Sequence, residues 1–435
     1  MKLAILGGGL SAISLAYYLQ KNEKIERIDI LEKEDKVGGL CRTYLSNGIE
    51  YDVGPHIIFS RDQEILNLMN GLLGDNNERH RRSNRILHKK RFVQYPFEND
   101  LSKLPKEDID YCVNAFLHNP YNEYTPENML QFFLKTFGEG ITNVYLRPYN
   151  EKIWKFDPAF MSTQMVERIP KPPKEDILKS AEGKTIDGYL HQLYFTYPKK
   201  GGTEAIISAF ISKFDEKVRI NVNSEVKRVS KSQTGYKVLT SNEETEYDRI
   251  VSTIPVNEFC DLYEGSHKQQ IIKSASALRY NSIAICIVNV KKDYAGDNYA
   301  FMIADKNVRF HRISKLDFMG NRYHLPDSTT YMAEITYRKN DLNDLSTDDE
   351  LIQEVIKGLE TIGFIDESKD VNFATIKRFK YAYVIYDLMH KTNMAVIKNY
   401  FKKEGIYLNG RFGSFEYLNM DAVIRQSEKL SHEFN

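Results

Sequence analysis

Residues 2–19 read KLAILGGGLSAISLAYYL. The first part, Lys2–Leu6, is an apolar run of strand length. The second, Gly7-Gly8-Gly9-Leu10-Ser11-Ala12, is a G-x-G-x-x-A turn. The third, Ile13–Leu19, is an apolar helix. Strand, glycine turn and helix in that order form a dinucleotide cradle. Gly7 permits the tight turn, Gly9 lets the backbone approach a pyrophosphate, and Ala12 lets helix and strand pack closely. The helix start offers free N–H groups and the positive end of its dipole to phosphate. A second strand, Ile28–Leu31, follows and ends at Glu32, twenty residues after Ala12. A carboxylate at that spacing accepts ribose hydroxyls.

A second glycine pair, Gly38-Gly39, and then Arg42 lie close behind Glu32. More backbone N–H groups at this point suit a longer dinucleotide, FAD rather than NAD. Residues 51–59, YDVGPHIIF, place His56 after a further glycine turn.

Length and composition set the frame around these motifs. The chain has 435 residues, beyond the size of one compact core, so more than one domain is expected. Sixty basic residues balance sixty acidic ones, which argues against a general nucleic-acid binder. No apolar run approaches the ~20 residues that cross a bilayer. Cys41, Cys112, Cys260 and Cys286 make no metal-ligand spacing, and no metal cluster is expected. Three glycines interrupt the apolar start where a signal peptide would continue. A cytoplasmic chain with reduced thiols is the expectation. The charged run 78–91 reads as a solvated face, although its arginines and lysines could equally face a nucleotide.

These motifs resemble the FAD-dependent amine-oxidase-like superfamily, in which the D-x-G-x-H segment runs past the flavin. The resemblance implies an α/β fold: a discontinuous Rossmann-like FAD-binding domain at 1–65, 201–258 and 396–435. A mainly helical insertion at 66–200 and a mixed α/β sheet domain at 259–395 would carry the substrate. Strands at 218–221, 224–229 and 249–255 would complete the FAD domain, with the backbone of Val226 against the adenine.

Three segments are similar to one branch, the UDP-galactopyranose mutases. Residues 91–99, RFVQYPFEN, resemble its Y-P-F-Q-N segment, which implies that Tyr95, Phe97 and Glu98 meet the uracil base. Glu98 stands where the branch has glutamine. Residues 146–154, LRPYNEKIW, and then Val166-Glu167-Arg168 resemble a run whose Asn150 and Trp154 line the sugar nucleotide. Tyr194 opens a stretch, to Thr203, that resembles one beside the flavin. Residues 405–421, GIYLNGRFGSFEYLNMD, resemble the G-R-x-G segment. There Gly410 and Arg411 would contact the FAD pyrophosphate, Tyr417 the substrate diphosphate, and Asn419–Met420 the flavin edge. By the same resemblance Arg168 and Arg312 hold the diphosphate, Tyr383 contacts phosphate, and His56 sits by the flavin.

The resemblance implies a redox-neutral mutase for cell-surface glycan biosynthesis, with reduced FAD interconverting the six- and five-membered rings of a UDP-linked sugar. NAD(P)H as reductant and a homo-oligomer stay open. Two other readings stand beside it: an amine oxidase or desaturase-type oxidoreductase, and a non-catalytic flavin and sugar-nucleotide binder. Glu98 and Glu416 favour the last, because each puts an acid where a neutral or basic group is usual.

Overall fold

The computed structural model describes residues 1–169, 173–184, 194–266, 268–320 and 322–434, with Glu167 and Arg168 described by their backbone only. Strand β1 (Lys2–Leu6) runs at the centre of a parallel sheet beside β2 (Arg27–Leu31). The sheet order is Tyr407–Leu408, Arg249–Ser252, β1, β2, Val218–Asn221. Leu3, Ala4, Ile5 and Leu6 have no exposure at all, so both faces of β1 are covered. That explains an unbroken apolar run instead of an alternating one. Helix α1 (Leu10–Leu19) leaves the glycine turn and packs beside the helix Met420–Ser431.

Tyr236–Thr240 and Glu244–Tyr247 are two members of a small four-stranded sheet. Thr347 caps the helix Asp348–Thr361 through a reciprocal bond with Glu350, as its Thr-x-x-Glu sequence predicts.

A third sheet has seven strands, ordered Val371–Ile385, Arg279–Val290, Thr329–Tyr337, Arg312–Lys315, Ala300–Ile303, Asn84–His88, Arg91–Gln94. Its last two strands come from the stretch expected to be mainly helical. Asn84–His88 pairs in parallel with Ala300–Ile303, a contact between segments remote in sequence. The helices Lys106–Leu117, Met129–Ile141 and Arg147–Trp154 cover one side of the molecule. Among the described residues no helix is long and apolar enough to cross a membrane.

Candidate active site

The glycine turn is held on two sides. Gly7 N donates to Leu31 O at 2.8 Å, and Gly38 N donates to Gly8 O at 2.8 Å. The second glycine pair therefore lies against the first, and a Cβ on Gly39 would sit 3.2 Å from the Gly9 Cα. Glu32 closes the turn: one carboxylate oxygen accepts from Gly8 N at 2.7 Å and the other from Glu34 N at 3.0 Å. A Cβ on Gly9 would meet nothing within 4 Å, because that direction opens into a cavity.

The cavity has a volume of about 1920 Å³. Ligand pockets are usually ~300–1,000 Å³, so there is room for a dinucleotide and a second ligand. Two helices, α1 and Met420–Ser431, begin at its wall without a side-chain cap. Their first N–H groups are left for whatever enters. Of the predicted cofactor residues, Gly7, Gly9, Ser11 and Glu32 line the cavity, as do Gly38, Gly39 and Arg42. Val226 lines it from a strand, Gly410 and Arg411 from the turn after Tyr407–Leu408, and Met420 from the start of its helix. Ala12 lies outside, fully buried, where the helix meets the sheet. Gly410 has φ +85°, and a Cβ there would come within 2.5 Å of the Ser11 side chain. Ser11 Oγ, Arg42 Nη2, and Arg411 Nε and Nη2 are buried without a hydrogen-bond partner. Unpartnered donors around a glycine cradle fit a bound diphosphate, so these residues suit a flavin dinucleotide.

Beyond the cradle the cavity is lined by His56, Tyr95, Arg312, Tyr383, Tyr417 and Asn419. The guanidinium of Arg411 lies over the Tyr417 ring at 4.3 Å and 5.8 Å from that of Tyr383. Arg312 is gripped by Glu334 through Nε and Nη2, the second contact at 2.7 Å. Burial, with Arg411 and Arg312 nearby, pulls the His56 imidazole down to about 4. The ring is neutral near pH 7 and its Nδ1 has no partner.

Other predicted residues stand behind the wall or away from it. Trp154 Nε1 donates to Asn150 Oδ1 at 2.8 Å, and the indole meets Tyr383 and Tyr417 edge-on at 5.7 Å each. Asn150 and Trp154 thus support the tyrosines and do not line the cavity. Phe97 is in the core, stacked on Tyr145 at 4.7 Å, because the short turn Phe97–Asn99 aims it at the helices. Glu98 is buried beside it, and desolvation pushes its carboxyl up to about 7. Tyr194 is a correction: it is 43% exposed on a strand edge, with Arg79 over its ring at 4.1 Å. The side chain of Arg168 lies outside the described residues.

The structure adds residues that the sequence did not single out. Arg82 leaves the charged run and lines the cavity, with its guanidinium over Phe59 at 4.2 Å. Tyr299 lines the same part, its hydroxyl buried without a partner. Glu334 is the buried carboxylate behind Arg312. Its signal was present: a single acid in the nine-residue strand Thr329–Tyr337, every position of which is buried.

The family described as flavin containing amine oxidoreductase matches residues 9–393. A UDP-galactopyranose mutase from Mycoplasma genitalium is 28% identical over 177 residues, covering 38% of this chain and 43% of that protein. The matched stretch is therefore less than half of that relative. A coproporphyrinogen III oxidase from Staphylococcus aureus is 21% identical over 479 aligned positions, covering 99% of this chain and 98% of the other. The crystal structure of a reduced UDP-galactopyranose mutase superposes with a TM-score of 0.91. It covers 100% of this chain and 95% of its own at 24% identity, a likeness of fold.

Proposed function

The chain belongs to the flavin containing amine oxidoreductase family, and on that premise we propose that it is a flavin-dependent sugar-nucleotide mutase. Its substrate is UDP-galactose or a related UDP-sugar, interconverted between pyranose and furanose forms for cell-surface glycan biosynthesis. The observation that carries this reading is the charge of the chamber beyond the glycine cradle. Arg82, Arg312 and Arg411 line it, with Glu334 as partner to one of them. An amine substrate is a cation and would be repelled there; a diphosphate would be held. The fold-wide likeness to a UDP-galactopyranose mutase supports the same choice.

FAD would be held by the Gly7–Gly9 turn, Glu32, Gly38, Gly39, Arg42 and Arg411, with Val226 near its adenine end. Reduced FAD, when bound, supplies the nucleophile, its N5, so the overall reaction is redox-neutral. The chain's own task is to keep UDP in place while it is detached from the sugar. Arg312, Tyr383 and Tyr417 would do this, and their positions on the chamber wall, with Trp154 against both tyrosine rings and Asn150 bonded to Trp154, support that reading. Asn419 and the uncapped helix start behind it favour negative charge at that wall. Neutral His56 adds no further positive charge and keeps Nδ1 free for a hydrogen bond. Tyr95 borders the same chamber from the bend that follows Arg91–Gln94. NAD(P)H is the proposed reductant.

The test is turnover of UDP-galactofuranose by the purified yellow protein, with and without dithionite, followed by chromatography of the UDP-sugars. Conversion to UDP-galactopyranose only with reduced flavin is the expected result. Hydrogen peroxide release from an added amine, without UDP-sugar conversion, would replace the mutase with an oxidase.

A further inference from the structure

The charge run 78–91 sends one arginine inward. Arg79 lies over the exposed Tyr194 and Arg81 is exposed, whereas Arg82 sits at the crossing between the strands Glu78–Arg81 and Asn84–His88. Its Nε and Nη2 are buried, and neither has a hydrogen-bond partner. No carboxylate pairs with it among the described residues, in contrast to Arg312, whose matching edge is taken by Glu334. The ring of Phe59 covers one face of the guanidinium at 4.2 Å. That contact fixes the plane of the fork before a ligand arrives.

A second unpartnered donor stands in the same place. The hydroxyl of Tyr299 is buried without a partner, its residue 2% exposed, and it is near enough to Arg82 to feel the field of that guanidinium. Arg312 also lies close enough to disfavour the charge of Arg82. Three facts therefore coincide: a free bidentate edge, a free hydroxyl, and a second guanidinium near enough to disfavour the charge of Arg82. An oxyanion accepts from the first two and relieves the third.

We propose that Arg82 and Tyr299 form an oxyanion subsite that binds a phosphoryl group of the second ligand, the nucleoside diphosphate. The proposal rests on the sugar-nucleotide reading and deepens it. It places the uncompensated charge of the substrate chamber on Arg82, beside an Arg312 already shared with Glu334. Nε–H and Nη2–H of Arg82 donate to two phosphoryl oxygens, and the Tyr299 hydroxyl donates to one of them.

The experiment titrates the flavin-loaded protein with UDP, uridine and inorganic pyrophosphate, following the flavin absorbance. It compares the parent chain with Arg82→Gln, Arg82→Lys and Tyr299→Phe. Arg82→Gln is expected to keep its flavin and to weaken UDP at least about tenfold, the scale of one lost charge-assisted contact, while uridine changes little. Arg82→Lys recovers part of the loss, since it restores charge without the fork. Tyr299→Phe weakens UDP by a smaller factor. UDP affinity unchanged in Arg82→Gln, or equal losses for UDP and uridine, would overturn the subsite. A parent chain that ignores UDP yet binds pyrophosphate through Arg82 would keep the subsite and remove the UDP reading. A parent that binds none of the three probes overturns both.

Discussion

Glu334 faces Arg312 along both Nε and Nη2, and the Tyr383 hydroxyl lies 3.4 Å from the same carboxylate. The pair is unequal: the Glu334 side chain is 1% exposed, whereas that of Arg312 is 28% exposed. Deleting the arginine would strand a buried acid. Neutralising the acid would leave a cation that the cavity can solvate. Arg312→Ala is therefore expected to destabilise the fold by about 3–5 kcal/mol, and Glu334→Gln by clearly less. Urea unfolding of both variants checks the asymmetry; equal losses would contradict it.

Glu98 gives a pH-dependent stability. Burial raises its carboxyl from 4.5 to about 7, so the folded chain favours the neutral acid. Its contribution is full below about pH 4.5 and is lost as pH rises toward 7, where the buried group is forced to ionise. Glu98→Gln removes that loss, so the variant should gain stability over the parent at pH 8, by at most about 3 kcal/mol. Near pH 4.5 the two should agree. Thermal melts at both values provide the comparison.

The glycines separate cofactor binding from folding. Gly9 has an ordinary φ of −74° and open space where a Cβ would go. Gly9→Val is expected to leave the flavin-free protein with an unchanged melting temperature while its flavin content falls. Gly410→Ala meets both a positive φ and a 2.5 Å clash with Ser11, so it should lose stability and flavin together. Flavin absorbance per chain and the melting curve of the stripped protein distinguish the two.

Trp154 is the chain's one tryptophan and touches the rings of Tyr383 and Tyr417. UDP should change its fluorescence on binding. Trp154→Phe removes the donor to Asn150 Oδ1 and leaves that buried acceptor unpaired, a cost of about 1–3 kcal/mol. A variant of full stability would mean that the hydrogen bond does not fix the helix turn.

The cradle was legible because it is local: strand, turn, helix and acid follow one another within the first 32 residues. Asn150 and Trp154 were expected along the sugar nucleotide, yet they bond to each other behind the cavity wall, a contact their spacing of four on one helix face allows. What stayed hidden depends on distant partners. Arg82 looked solvated because its neighbours in sequence are charged, and its cavity is made by Tyr299 and Phe59, which approach only in the fold. Asn84–His88 and Arg91–Gln94 were missed as sheet members because the strand they join comes from Ala300–Ile303. Tyr194 kept the motif's position but not its surroundings, because Arg79 on the paired strand draws it to the surface.

The cradle is also assembled from both ends of the chain: Ser427 Oγ bonds to Ser11 O across 416 positions. On the ribosome Ser11 of the glycine turn emerges 416 positions before Ser427 of its closing helix. At ~5–20 residues per second the wait is on the order of 20–80 s. During that interval β1 can already pair with β2, but α1 still lacks the helix Met420–Ser431 against which it packs. The nascent chain cannot complete the cradle until that helix has been made, so a chain stalled before it would be colourless as well as incomplete.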